Sequence, residues 1–494
     1  MALGIMSATR TGKTPLWGLF AVALVSLAAL IAVLAWPSEP PPNLLIVSID
    51  TLRADHLGCY GYDRPTSPTL DALAERGVVF EAASTPSPWT KPAHASLFTG
   101  KYPSRHGAID SFRPLSDDTV HLASLLTEQG FDTAAVVNVA WLTIHGLARG
   151  FQHVDFVPSF ESPEPSEVTE KSIAWFDQRD REKPFFALVH YFDVHSSYQS
   201  LPQYEQMFVD EYVGPANGTT AQLLDFTIHG ARLIDRDIAH ISNLYDAGIR
   251  QLDDQLAKLF AYLEENGELE NTVVVITSDH GEELFDHGSF MHGFTQYEEV
   301  ARVPLVFFGP GVAVKQRIGA PVSLVDVMPT CLKLMGIAGP EDMDGVPLDD
   351  LWRGAEPAER ALFYEADNKI PREKSDTTYS LGSRRAIRRG DLKLHYDIET
   401  GEKRLFDLAA DPLERTIVNG KHAAVADAML EELLAHLANP TETEPGNWSD
   451  DRLRALRQLG YVGGETDAAA AESPSQPERE PPGDGPSRAD PEAD

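Results

Sequence analysis

Two apolar runs in this chain end in groups that can do chemistry: LLIVSI is followed by Asp50-Thr51, and TVVVITS by Asp279-His280. Runs of this length read as strands buried on both faces, and a carboxylate or imidazole at such a strand end is costly to bury without a charge partner. A divalent cation is a natural partner, because carboxylate oxygens with one imidazole suit Mg, Ca, Mn or Zn. The plainer reading makes Asp50 a helix cap and His280 a turn histidine. Between them lies SPWTKPAHASLFTGKYPSRHG, where Thr90 is followed by Pro92 and His94 and leads into a helix ending at Thr99-Gly100. A hydroxyl at a helix N-terminus faces unpaired backbone N–H groups, which stabilise negative charge on an attacking oxygen. A threonine that only caps the helix is the alternative.

Ligands of open α/β sheets sit at the carboxyl ends of strands, so the elements carrying these residues come next. Further buried runs are TAAVVNVA from Thr133, PFFALVHYF from Pro184 and VPLVFFG from Val303. Helical patterns alternate with them. In one, Ile249, Leu252, Leu256, Leu259 and Leu263 share a face, and Asn266-Gly267 closes it. The alternation predicts an α/β fold, a large mostly parallel sheet sandwiched by helices, up to residue 355. After about residue 360, ALFYEA, RRAIRRGDLKLHYDI and KRLFDLAADP read as short strands, with a hairpin candidate at Asp-Ile-Glu-Thr-Gly-Glu. With an amphipathic helix over 422–438 they predict a smaller C-terminal α+β subdomain. Ser196 to Asp235 lacks periodicity and is a candidate substrate-covering loop.

The chain has 494 residues, 43% of them apolar, enough for more than one domain with a substantial core. Its 75 acidic residues against 41 basic ones give a net charge of −34, which argues against nucleic acid as a partner. Two cysteines, Cys59 and Cys331, exclude a disulfide framework and a multi-cysteine metal site; both read as free buried thiols, with a single Cys59–Cys331 bridge as the alternative. Leu16 to Trp36 is uncharged and follows Arg10 and Lys13. It reads as a transmembrane signal-anchor with residues 1–15 cytoplasmic and the catalytic part periplasmic or extracellular; a cleaved signal is the alternative. Residues 37–42 form a Pro-rich linker, 43–355 the catalytic domain and 356–440 the C-terminal subdomain. A connecting segment covers 441–464, and 465–494 reads as a disordered acidic tail.

Eight segments in order resemble the sulfatase family of the alkaline phosphatase superfamily, over most of residues 43–415. They are NLLIVSIDTLRADHLGCYG, PTLDALAERGVVF, LFTGKYPSRHG, PFFALVHYFDVH, TSDHGEELFDHG, YEEVARVPLVFFGPG, LVDVMPTCLKLMGI and LFDLAADPLE. The resemblance implies Asp50, Asp279 and His280 as metal ligands, with Thr51 in the place of the family's second Asp. The family's formylglycine-forming Cys or Ser falls on Thr90, and its arginine four residues on falls on His94. Threonine is not a substrate for formylglycine formation, so that group is not expected, and Thr90 itself is the implied nucleophile, as in threonine-using phosphodiesterases and phosphotransferases of the superfamily. The family's Lys-Trp-His segment falls on Asn138, Val139 and Ala140, and its late lysine on Gly293 beside His292. Asn138, His195 and His292 are therefore the implied substrate contacts. Asp193, His195 and His292 are candidates for a second metal site, with Asp286 and His287 as substitutes; Asp193 and His195 would point the same way from an extended segment. One ion implies Ca2+ or Mg2+, two imply Zn2+ or Mn2+. Lys393 sits where the family has a C-terminal lysine.

The expected activity is metal-dependent, extracytoplasmic hydrolysis of sulfate or phosphate esters. Thr90 attacks in line with the leaving alcohol, a covalent Thr90 ester forms, and water releases it. His94, His195 or His292 contacts the equatorial oxygens or protonates the leaving group. Two alternatives stand beside it: phosphoryl-group transfer to a membrane lipid or glycan, and a catalytically inactive binding protein. The expected partners are a small ester substrate and the membrane through the anchor, without nucleic acid or a protein partner.

Overall fold

The computed structural model describes residues 41–158, 167–230, 232–371 and 378–445. The anchor expected over 16–36, the residues before it, most of the 37–42 linker, most of the 441–464 segment and the 465–494 tail lie outside these. Among the described residues, no helix is long and apolar enough to cross a membrane.

The central sheet has eight strands: β1 (Asn43–Ile49), β2 (Val78–Phe80), β3 (Asp132–Val137), β4 (His153–Phe156), β5 (Phe185–Tyr191), β6 (Thr272–Ser278), β7 (Leu305–Phe308) and β8 (Gln316–Ile318). Their spatial order is β8-β2-β7-β6-β1-β5-β3-β4. β1 lies between β5 and β6 and runs parallel to both. β7 runs antiparallel to both its neighbours, so the sheet is mixed and mostly parallel. Burial on both faces makes β7 look like the other runs in sequence, because direction leaves no mark on such a pattern.

Alternation along β1 divides the core in two. Leu44 and Ile46 share one apolar cluster with Ala95 and Phe98 of helix α1 (Thr90–Thr99). Leu45, Val47 and Ile49 share another with Leu252, Leu256 and Leu259 of α2 (Asp235–Glu265). Each such fully buried aliphatic side chain contributes about 1.5–3 kcal/mol of transfer free energy. The expected leucine face and the stop at Asn266-Gly267 are both present, with Gly267 at φ 68°. Ser196 to Asp235 is not a plain loop, since it holds helices Pro202–Phe208 and Thr220–His229. Thr219 caps the second by accepting from Gln222 N, a local signal that hydrophobic periodicity does not carry.

The smaller C-terminal unit is an antiparallel sheet of β9 (Ala361–Pro371), β10 (Thr378–Arg389), β11 (Leu392–Asp397) and β12 (Lys403–Asp407), in that order. Helix α3 (Ala423–His436) lays Ala426, Met429 and Leu433 against Ile387, Leu394 and Leu405. The expected hairpin joins β11 and β12. β9 and β10 are longer than the short strands expected, because ladder pairing continues beyond the apolar residues to Asp367 and Ser383 and further.

Candidate active site

Strand parity assembles the site. Ser48 and Asp50 continue the face of Leu44 and Ile46, His190 that of Phe186 and Leu188, and Asp279 that of Val273 and Val275, all facing α1. The parallel registers set Ser48 beside His190 and Ile49 beside Ser278, so β1, β5 and β6 present these groups at one edge. Helix α1 is capped by Trp89 in extended conformation, not by Thr90, which is its first residue. The Thr90 hydroxyl instead lies 3.5 Å from Asp50 Oδ2 and 3.4 Å from His280 Nε2. After His280 the chain packs tightly on residues 299–300, where a Cβ on Gly281 would fall 2.1 Å from the Glu299 carbonyl oxygen. The Gly281 carbonyl accepts His280 Nδ1–H at 2.9 Å, which turns the His280 Nε2 lone pair inward.

Asp50, Asp279 and His280 offer donor atoms within 4.8 Å of one another, and all three residues are fully buried. Asp50 Oδ1 and Asp279 Oδ2 have no hydrogen-bond partner. Burial, with Glu282 adding to it, raises Asp50 to about 7 against the pull of His280. Burial and then Asp50 raise Asp279 to about 7. Burial and the neighbouring His292 push His280 down to about 4, so its imidazole is neutral at neutral pH. Two buried carboxylate oxygens without a hydrogen-bond partner, converging with an imidazole nitrogen, fit a divalent cation. Thr51, at φ 56°, is also fully buried, and its Oγ1 has no hydrogen-bond partner.

The other candidates fall into different settings. His94 donates from Nδ1 to Thr90 O at 2.9 Å and accepts at Nε2 from Ser48 Oγ at 2.9 Å, so it ties the first turn of α1 to β1. The segment after Tyr191 is not extended: it turns, with His195 N donating to Phe192 O at 3.0 Å, and this removes the common direction expected of Asp193 and His195. Asp193 accepts from Asn138 Nδ2 at 3.2 Å. His195 stacks on Phe192 and meets the His292 ring edge-on at 4.9 Å. His292 lies 4.4 Å from the His280 ring and donates from Nδ1 to Glu282 Oε1 at 3.0 Å. His195 and His292 thus join the site beside His280, while the described donor clusters do not group them with Asp193. Asp286 is paired with Arg53 and His287 with Glu299. Cys59 is half-buried, Cys331 is buried, and both are free thiols.

Two residues escape motif reading. Glu282, hydrogen-bonded to His292, is raised to about 8 by burial. His190 on β5 shares a donor cluster with His94 and Asp279. Its signal was the period of two in PFFALVHYF, which puts His190 on the face of Phe186 and Leu188.

A family model for sulfatases matches residues 42–337, and a model of the N-sulphoglucosamine sulphohydrolase C-terminal region matches 285–439. The N-acetylglucosamine-6-O-sulfatase of Bacteroides thetaiotaomicron is 24% identical, over 84% of this chain and 92% of its own length. The choline-sulfatase of Rhizobium meliloti is 27% identical, over 76% of this chain and 82% of its own. Among solved structures, the phosphonate monoester hydrolase of Agrobacterium radiobacter aligns with a TM-score of 0.66 at 23% identity, covering 80% of this chain and 95% of that one. A structure in complex with its substrate, D-glucosamine-2-N,6-O-disulfate, aligns with a TM-score of 0.67 at 20% identity, covering 81% and 98%. These structural likenesses establish the fold.

Proposed function

This chain belongs to the sulfatase family of ester hydrolases, and from that premise we propose that it hydrolyses small sulfate or phosphate esters outside the cytoplasm with Thr90 as covalent nucleophile. The observation that carries the reading is the Thr90 hydroxyl at the N-terminus of α1, 3.5 Å from Asp50 Oδ2 and 3.4 Å from His280 Nε2. Asp50, Asp279 and His280 would hold a divalent cation, which supplies Lewis-acid neutralisation of charge on the ester and on Thr90 Oγ1.

The chain's own groups do the rest. Thr90 Oγ1 gives up its proton to a neighbouring imidazole and attacks sulfur or phosphorus, the bond to the leaving alcohol breaks on the opposite side as that oxygen takes up a proton, and a Thr90 ester forms. The first backbone amides of α1 face the charge that develops. His195 uses Nδ1 to donate to Ser196 O and His292 uses Nδ1 to donate to Glu282, so proton exchange with the leaving alcohol and the incoming water falls to Nε2. Water then releases sulfate or phosphate and restores the Thr90 hydroxyl. His94 positions Thr90 through the carbonyl of that same residue.

The metal-loaded protein assayed on aryl sulfate, phosphate monoester and phosphodiester ranks the substrate classes. Trapping the Thr90 ester by acid quench and mass spectrometry tests the nucleophile directly. Full activity in Thr90→Ala overturns this function.

A further inference from the structure

Resting on the metal-dependent reading above, we infer that His190 is a fourth protein ligand of the cation, and that it makes the seat selective for a first-row transition ion such as Zn2+ over Ca2+. Register brings it there: His190 pairs with Ser48 on β1 and shares the face of Asp50. Its ring orientation is set by a relay of side chains. The Asp193 carboxylate accepts from Asn138 Nδ2 at 3.2 Å, which turns Asn138 Oδ1 toward His190. That oxygen accepts from His190 Nδ1 at 3.4 Å, so the lone pair of Nε2 faces Asp50 Oδ2 at 3.5 Å. A partner at Nδ1 that fixes the tautomer is what surrounds metal-ligating imidazoles in general.

His190 stands in one buried group of donor atoms with His94 and Asp279, and Asp50, Asp279 and His280 form a second, so the two groups share Asp279. His190 Nε2, Asp50 Oδ1 and Asp279 Oδ2 all have no hydrogen-bond partner. A shared proton can satisfy one pair of them, whereas a cation satisfies all three. His94 belongs to the same cluster of donors, but its Nδ1 proton goes to Thr90 O and its Nε2 lone pair to Ser48, so it has none left to offer. Counting His190 and His280, the seat offers two carboxylates and two imidazoles. Nitrogen donors in that proportion favour Zn2+ strongly and contribute little to Ca2+, which takes oxygen ligands.

The test is equilibrium Zn2+ and Ca2+ binding to the full chain, against a chromophoric chelator, for the unaltered protein, Asp279→Asn and His190→Ala. The expected result is loss of both ions in Asp279→Asn, and in His190→Ala a Zn2+ Kd at least about 10-fold weaker with the Ca2+ Kd nearly unchanged. If Asp279→Asn loses metal while His190→Ala binds Zn2+ as the unaltered protein does, the ligand assignment fails and the metal-dependent reading stands. If Asp279→Asn keeps its metal, the underlying reading fails. Should His190→Ala not fold, proton NMR of the unaltered chain with one equivalent of Co2+ decides: two paramagnetically shifted, exchangeable imidazole N–H resonances are expected, and one overturns the assignment.

Discussion

Lys393 on β11 and Asp50 at the end of β1 are both fully buried, yet their surroundings differ in kind. Lys393 Nζ donates to Glu298 Oε1 at 2.7 Å and lies 3.3 Å from Glu414, which also accepts from His395 at 2.8 Å. Burial would lower the lysine, but Glu298 and Glu414 outweigh it and hold the ammonium above its usual range. Burial would likewise raise Glu414, but Lys393 and His395 hold it well below the usual carboxylate range. Around Asp50 the balance is reversed: burial lifts Asp50 and Asp279 to about 7 and pushes the imidazoles of His280, His190 and His292 down, and no ammonium or guanidinium is among the charges that act on the two acids. The first cluster is complete as folded and joins the C-terminal sheet to the residues around Glu298. The second is short of positive charge, and that shortage marks it as a place where something binds.

The sharpest separation of the two comes from turnover. Thr90→Ala is expected to lower kcat about 10⁴-fold or more while metal content stays at the unaltered level, measured by steady-state kinetics beside elemental analysis. Lys393→Met leaves Glu414 buried without its main counter-charge, and should cost about 3–5 kcal/mol in chemical denaturation with no loss of bound metal. If that variant loses its metal instead, the two clusters are not independent and the comparison fails. Asp279→Asn should remove the metal-induced gain in stability, about 2.7 kcal/mol at a hundredfold excess over Kd, seen as a melting temperature that no longer responds to added ion.

A pH series refines the same contrast. Without a cation, Asp50 and Asp279 keep their protons up to about 7, whereas the unfolded chain loses them near pH 4. Over that window the native state binds more protons, so these two acids subtract stability as pH rises, and the cation restores it. Protons and metal compete for the same oxygens, so metal-induced stabilisation should be small at about pH 5 and level off near about pH 8. Calorimetry with and without metal measures it, and a flat profile would detach Asp50 and Asp279 from the ion. The smallest effect is expected from Ser48→Ala, which removes one hydrogen bond to His94 and should cost about 1 kcal/mol with a modest rise in KM as α1 loosens.

The legible part of the molecule was the part written in local pattern. LLIVSID and TVVVITSD, with alternating helical faces, were enough to place Asp50, Asp279 and His280 at strand ends of one sheet. The helix pattern that opens at Thr90 singled out its hydroxyl, and the resemblance gave it the nucleophile's place. What local pattern does not carry is the pairing of distant segments. His190 needed the β1–β5 register before it could be set against Asp50. Asn138 and Asp193 matched substrate and metal positions by motif, but a turn after Tyr191 pairs them with each other. The antiparallel sense of β7 was hidden for a related reason, since a strand covered on both faces reads alike in either direction.

The parallel registers that join β1 to β5 and β6 also bear on how the protein matures. The candidate ligands Asp50, His190 and Asp279 come from three segments far apart in the chain, and they meet only when the three strands are already zipped. No nascent fragment carries the seat, so an ion can enter only after the long-range pairing that is the slow part of assembling such sheets. Metal retention is therefore a readout of finished topology: a chain that has collapsed with β5 displaced by one residue would keep its apolar content and lose its ion.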